Sequence, residues 1–149
     1  MLVEYKSDLI TKFIPTGGTS KRWQLSAPFE FVADGIAYQV PAGFYTDFAS
    51  VPRFLHPLLN PYELGCGPIP HDFGYFTGLM SQSYWDEVFA ACMALDGISW
   101  WRRVAAYNAV RTFGGFVFRR YRQHNQKYAL HLAASGSYEI EGWERDAAA

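Results

Sequence analysis

The stretch WDEVFAACMALDGISWWRRVAAYNAVRTF, residues 85–113, predicts two helices joined by a short turn. Its first part places apolar residues at the spacing of one helix face, namely Trp85, Val88, Phe89, Cys92, Met93 and Leu95. Asp96-Gly97 is typical of a helix end, and Ser99 is a typical N-cap for a second helix, which we expect to stop at Gly114-Gly115. Because the connection is short, the two helices are expected to pack antiparallel.

The first third of the chain has the pattern of short strands. PFEFVADGIAYQVP, residues 28–41, alternates apolar and polar residues around Asp34-Gly35, which is the signal of a tight hairpin. Upstream, DLITKFIP and KRWQLS are predicted to form another strand pair. The predicted fold class is therefore α+β, with a small N-terminal antiparallel sheet followed by a helical half.

The length of 149 residues predicts a single domain over residues 1–149. We expect it to be β-rich over residues 1–48 and helical over residues 49–125, with a C-terminal extension over residues 126–149. In the last part, residues 116–134 are expected to add a basic, aromatic helix, and the residues after them an extension or a frayed tail.

Composition narrows the classes of partner. The net charge of -1 argues against binding nucleic acid through a broad positive field. Aromatic residues make up 18% of the chain and charged residues also 18%, which favours a surface partly covered by a partner or a second copy. The charged start of the chain does not resemble a signal peptide, and no apolar run is long enough to span a membrane. A set of arginines is expected to form a solvated face, with phosphate binding as the alternative: Arg102, Arg103, Arg119, Arg120 and Arg122.

The segment PHDFGYF, residues 70–76, has the residue types of a proton-transfer site. His71 and Asp72 project about 100° apart on a helix, and Tyr75 lies one turn after His71. A histidine that activates water needs a carboxylate on its other ring nitrogen. Asp86 is the best candidate because it lies on an apolar helix face, where a carboxylate is costly unless paired. We predict a hydrogen bond between His71 and Asp86.

A second acidic position lies in GFYTDFASVP, residues 43–52. Asp47 follows a strand and enters a turn, which is the setting of cation sites built from carboxylates and backbone carbonyls. Asp47 and Asp72 are therefore candidates to share a calcium ion. The alternative is structural: Asp72 complements a helix dipole, and Asp47 or Ser50 caps a short helix.

A zinc site is a third hypothesis. It would use His71, Asp72 and either Asp47 or His56, but a single imidazole among carboxylates suits a hard cation better than zinc. His124 and His131 lie in a basic stretch and are expected to be surface or packing residues.

Four sequence blocks carry a resemblance to known proteins: TDFASVPR, HDFGY, an aspartate followed three positions later by phenylalanine, and YNAVRTFG. Over about residues 38–114 they resemble a domain family of unknown function that is common in bacteriophage and prophage genomes. The resemblance implies a phage-associated protein, located in the virion or in the host cytoplasm.

HDFGY and the aspartate that follows also distantly resemble prokaryotic and fungal-type secreted phospholipases A2. This likeness implies a phospholipase A2-like helical half with packed antiparallel helices. It also implies His71 as the base, Asp86 as its orienting carboxylate and Tyr75 as a support for Asp86. It implies Asp72, Asp47 and loop carbonyls near Phe48 as calcium ligands. The sequence departs from that family at Ala49, where the family has a cysteine. The prolines of GCGPIP are also expected to shorten the helix that holds His71.

Two functions follow as expectations. The first is a calcium-dependent, phospholipase-like ester hydrolase, for which a lipid is the partner. The second is a non-catalytic bacteriophage virion or tail-assembly protein, whose partners are other particle proteins or a second copy of itself.

Overall fold

The computed structural model describes residues 1–14, 23–46, 53–124, 129–132 and 138–141. These residues form two compact units, one of Met1 and Phe48–Gln126 and one of Leu2–Asp47 and Lys127–Ala149. The first is helical and the second is built of strands, so the predicted α+β class is confirmed. The assignment of residues 1–149 to a single domain stays a prediction.

The strand unit contains two sheets. In chain order its strands are β1 (Val3–Tyr5), β2 (Thr11–Phe13), β3 (Trp23–Leu25), β4 (Phe29–Ala33), β5 (Ile36–Val40), β6 (Tyr45–Thr46), β7 (Ala129–Leu132) and β8 (Tyr138–Glu141). One sheet has the order β1-β4-β5-β8-β7 and the other β2-β3-β6. The predicted pairing of DLITKFIP with KRWQLS is confirmed by the antiparallel β2 and β3.

The hairpin between β4 and β5 is formed by Asp34 and Gly35, as predicted. Both residues have positive φ, 48° and 81°, which matches the type I′ turns that favour Asp-Gly. The hairpin register places Phe31 opposite Tyr38, and their rings stack with centroids 5.2 Å apart. Both side chains are buried, so alternate residues of the two strands form the core of this sheet.

The C-terminal part differs from the expectation. Residues 129–132 and 138–141 form strands, so the predicted basic helix over residues 116–134 and the frayed tail after it are wrong for these segments. β8 pairs with β5 in parallel and with β7 in antiparallel orientation. The pairing joins segments about a hundred residues apart in sequence, and no local pattern encodes such a contact.

The helical unit contains α1 (Pro68–Thr77), α2 (Gln82–Leu95) and α3 (Trp100–His124), preceded by single 3-10 turns at Arg53–Leu55 and Pro61–Glu63. Each helix packs against the other two. α2 ends where predicted, with Asp96 as its C-cap and Gly97 at a φ of 73°. Its apolar face contributes Phe89 and Met93 to a core cluster with Ala106 and Val110 of α3.

The predicted end of α3 at Gly114-Gly115 is wrong, because the helix continues to His124. Gly114 is instead a contact position inside the helix. A Cβ at this residue would lie 2.3 Å from the hydroxyl oxygen of Tyr75. The first glycine of a pair that resembles a helix terminus therefore allows the close approach of a neighbouring side chain.

Among the described residues, no helix combines the length and the apolar character needed to cross a membrane.

Candidate functional site

Most residues of helix α1 are buried, and the start of the helix explains how His71 is placed. Pro68 occupies the first helical position, where a missing N–H costs nothing. Pro70 is still within the first turn, whose N–H groups have no partner inside the helix. The N–H of His71 donates the first helical bond, to Gly67 O at 3.3 Å. The helix thus begins at the first of the two prolines and includes His71 as its fourth residue, while the expected shortening stays a prediction.

The predicted contact between His71 and Asp86 is confirmed. Nε2 of His71 lies 3.1 Å from Oδ1 of Asp86, and the two side chains are 1% and 0% exposed. The contact joins α1 to α2. Nδ1 of His71 is also buried and has no hydrogen-bond partner among the described residues. The two nitrogens of one ring therefore have different environments.

Two further donors reach the carboxylate of Asp86. The hydroxyl of Tyr75 donates to Oδ1 at 2.7 Å, and Nη1 of Arg111 donates to Oδ2 at 3.2 Å. Since both oxygens accept hydrogen bonds from side chains, the proton between His71 and Asp86 belongs on Nε2. Side chains from α1 and α3 thus converge on this one carboxylate of α2. The predicted catalytic residues His71, Asp86 and Tyr75 are thus brought together, while their catalytic roles stay predictions.

The electrostatic setting of His71 favours the protonated ring. Burial is the largest single influence and lowers the pKa of the imidazole. The carboxylates of Asp72 and Asp86 together outweigh burial, so the pKa of His71 is raised above its usual value. A proton that arrives on the ring is therefore stabilised by negative charge on both sides.

Tyr75 has a fixed role as a donor. Burial, followed by the bond to Asp86, raises the pKa of its phenol, so the hydroxyl stays protonated. Its ring packs against the ring of His71 with centroids 4.1 Å apart and against Phe118 of α3 at 5.3 Å. These contacts hold the hydroxyl beside the His71–Asp86 pair.

Asp72 lies on the other side of the histidine ring. Its Oδ1 is 4.0 Å from Nδ1 of His71, which is too long for a hydrogen bond, and its side chain is 14% exposed. Asp72 therefore acts on the ring through its charge.

The predicted calcium ligands are described only in part. Asp47 and Phe48 lie outside the described residues, so Asp72 is the one member of the proposed set that can be placed. Within the described ranges, no three side chains of His, Cys, Asp or Glu are grouped to hold a metal ion. One carboxylate falls short of the roughly six to eight oxygens that calcium takes. The described residues alone therefore do not make up a calcium site.

The remaining histidines lie in other elements of the chain. His56 follows the 3-10 turn at Arg53–Leu55, His124 ends α3, and His131 lies in β7. His56 forms no three-residue metal group with His71 and Asp72 in the described part of the chain, which leaves the zinc hypothesis without support there.

Two arginines differ from the sequence predictions. Arg122, predicted to lie on a solvated face, is partly buried and donates to the carbonyls of Tyr75, Phe76 and Thr77 at the end of α1. Burial lowers the pKa of its guanidinium. The sequence patterns do not predict Arg111 as a site residue. A buried carboxylate on α2 required a cation from a packed helix, and that requirement is the signal that points to Arg111.

A family model described as "Protein of unknown function (DUF1353)" matches residues 23–110, which is more than half of the chain. No solved structure matches the chain.

Proposed function

We propose that this chain, which belongs to the DUF1353 family of proteins of unknown function, hydrolyses an ester with His71 as the general base. The observation that carries the proposal is the difference between the two nitrogens of His71. Nε2 is held by Asp86 at 3.1 Å, whereas Nδ1 has no hydrogen-bond partner among the described residues. A ring held at one nitrogen can accept a proton at the other.

The proposed reaction breaks an O–H bond of water and the C–O bond of the ester, and it moves one proton twice, first onto His71 and then onto the leaving group. Nδ1 takes a proton from water as the water oxygen bonds to the acyl carbon. The imidazolium that forms keeps its Nε2–H on Asp86, and its charge is stabilised by Asp72 and Asp86. The ring then returns the proton to the departing alkoxide as the ester C–O bond breaks, so the products are an acid and an alcohol.

Access to Nδ1 is proposed to come from the side of Asp72. His71 is 1% exposed, whereas the neighbouring carboxylate of Asp72 is 14% exposed and lies 4.0 Å from Nδ1. A water molecule between these two groups would be hydrogen-bonded to both, which orients one of its hydrogens toward the ring nitrogen.

The proposed substrate is the acyl ester of a phospholipid, because HDFGY and Asp86 resemble the secreted phospholipases A2. Calcium, held by Asp72 together with Asp47 and a carbonyl near Phe48, is proposed as the cofactor by the same resemblance. It would supply positive charge for the oxyanion that develops on the ester carbonyl.

The test compares two histidine variants of the full chain. Fatty acid release from phospholipid vesicles and acid release from a short soluble ester are measured with and without calcium. We expect His71→Gln to abolish release and His56→Gln, a control outside the site, to retain it. Release that survives in a folded His71→Gln variant would refute His71 as the base.

A second candidate is a non-catalytic component of a bacteriophage particle. Its support is a set of exposed aromatic side chains on the helical unit, with Phe54 70%, Trp100 71% and Phe116 68% exposed. Exposed apolar surface of this kind is typical of protein interfaces. Light scattering of the purified chain over a range of concentrations tests for a second copy as partner. A Phe54→Ser/Phe116→Ser variant that has the same state of association as the wild type would remove this support.

A further inference from the structure

Arg111 reaches the buried carboxylate from the third helix of the unit. Its Nη1 donates to Oδ2 of Asp86 at 3.2 Å, while its own side chain is 43% exposed. Oδ2 is the oxygen that His71 and Tyr75 do not use, since both of them contact Oδ1. The hydrogen bond to Asp86 is also the main reason that the pKa of Arg111 is raised.

We propose that Arg111 is a positioning residue for the His71–Asp86 pair, a role that rests on the proposed function. A carboxylate that accepts donors at both oxygens cannot rotate about its Cβ–Cγ bond without losing all of them. The bond to Arg111 therefore keeps Oδ1 on Nε2 of His71 and leaves the proton-accepting nitrogen as Nδ1.

Charge balance supports the same role. Asp86 is 0% exposed, and a carboxylate in that position is costly without a cation. Because Arg111 supplies one, the carboxylate is compensated whether the ring of His71 is neutral or protonated. A base must pass through both states in each turnover, and this arrangement lets it do so without moving Asp86.

A second arginine of α3, Arg122, holds this helix against α1. Arg122 is 11 residues after Arg111, about three helical turns, so both lie on one face of α3. Its guanidinium holds the carbonyls of Tyr75 and Thr77 at 2.7 and 2.6 Å. Arg111 therefore approaches Asp86 from a helix already fixed against α1, which is what positioning requires.

The first readout is the tautomer of His71 in the full chain. Long-range 1H–15N spectra are recorded at a pH where the ring is neutral. We expect the wild type to carry its proton on Nε2 alone, Arg111→Gln to show a mixture of both tautomers, and Arg111→Lys to restore the single form. Arg120→Gln, an exposed arginine of the same helix, is the matched control and should leave the spectrum unchanged.

The second readout is ester hydrolysis. Arg111→Gln should lower kcat by about ten- to a hundredfold, the range seen when a residue that orients a reactive group is lost, with KM unchanged. In an Asp86→Asn background, Arg111→Gln should cause little further loss, because the carboxylate that it positions is gone. The double variant has no uncompensated buried carboxylate. If Arg111→Gln alone does not fold, the kcat of the double variant is therefore compared with that of Asp86→Asn.

The proposal is overturned if folded Arg111→Gln keeps the single Nε2–H tautomer, or if Arg111→Gln and Asp86→Asn lower kcat by independent factors. Failure of the proposed function is a separate result. A wild type that hydrolyses no ester would contradict that function, while a tautomer mixture in Arg111→Gln would still support the positioning of Asp86.

Discussion

The hydroxyl of Tyr75 lies 2.7 Å from Oδ1 of Asp86, the same oxygen that faces Nε2 of His71 at 3.1 Å. One carboxylate oxygen thus accepts from a phenol and an imidazole that belong to the same helix, one turn apart. The spacing of His71 and Tyr75 places both on one face of α1. Asp86 is therefore held by two residues that move as one rigid element.

Replacing Tyr75 by Phe should destabilise the protein. The change removes a buried hydrogen bond to a charged group, which is worth about 1.5–3 kcal/mol. Urea unfolding measures the loss. Tyr62→Phe, at a side chain that is 62% exposed, is the control and should change the free energy of unfolding by less than about 0.5 kcal/mol. Equal stability of the two variants would mean that the Tyr75–Asp86 bond contributes nothing.

The two neighbouring glycines of α3 should respond to alanine in opposite ways. A Cβ at Gly114 would lie 2.3 Å from the Tyr75 hydroxyl, so Gly114→Ala should cost about 1–3 kcal/mol through overpacking. At Gly115 the nearest atom is the end of the Gln82 side chain, at 3.3 Å, which can move. Gly115→Ala should therefore gain up to about 1 kcal/mol from helix propensity. Thermal unfolding compares them, and similar melting temperatures would contradict the close approach of Tyr75.

The stabilising effect of His71 should decrease as the pH rises. Asp72 and Tyr75 of α1 and Asp86 of α2 surround the ring, and Arg111 of α3 pairs with Asp86. The net effect raises the pKa above 6.5 in the folded state, so protonation of the ring favours folding. That contribution is complete below the unfolded pKa of about 6.5 and is lost as the pH passes the folded pKa.

Urea unfolding of wild type and His71→Gln over a pH series measures this dependence. The wild-type advantage in free energy of unfolding should be largest below the unfolded pKa and should shrink at higher pH. An advantage that grows with pH would mean that burial, which lowers the pKa, outweighs the two carboxylates.

Calcium should raise the melting temperature if Asp72 is a ligand. An ion that binds the native state alone stabilises it by mass action. The shift should disappear in Asp72→Asn and in Asp47→Asn, and it should persist in Asp8→Asn, an exposed control in the strand unit. Magnesium at the same concentration controls for ionic strength. An equal calcium shift in wild type and Asp72→Asn would remove Asp72 from the ligand set.

Local signals predicted much of the fold and part of the site. The Asp34-Gly35 hairpin and the end of α2 at Asp96-Gly97 depend on turn chemistry that a few residues determine. The His71–Asp86 contact followed from one requirement, that a carboxylate on an apolar helix face needs a partner. The first two inferences used residues adjacent in sequence, and the third used the need of one buried carboxylate for one partner.

The features that the sequence did not predict depend on distant contacts. Gly114 resembles a helix end in the sequence. The group that requires a glycine there, the hydroxyl of Tyr75, lies on another helix. Arg111 is 25 residues from Asp86, and although it lies in the block YNAVRTFG, no local pattern shows that it contacts α2. The pairing of β8 with β5 has the same character. Contacts between residues far apart in sequence decide these features.

The most direct test of His71 as a general base is the rate of ester hydrolysis in H2O and in D2O. If Nδ1 removes a proton from water in the rate-limiting step, the kcat of the wild type should be lower in D2O, and His71→Gln should have no measurable kcat while remaining folded. Wild-type hydrolysis that is equally fast in both solvents, and that persists in His71→Gln, would contradict the account.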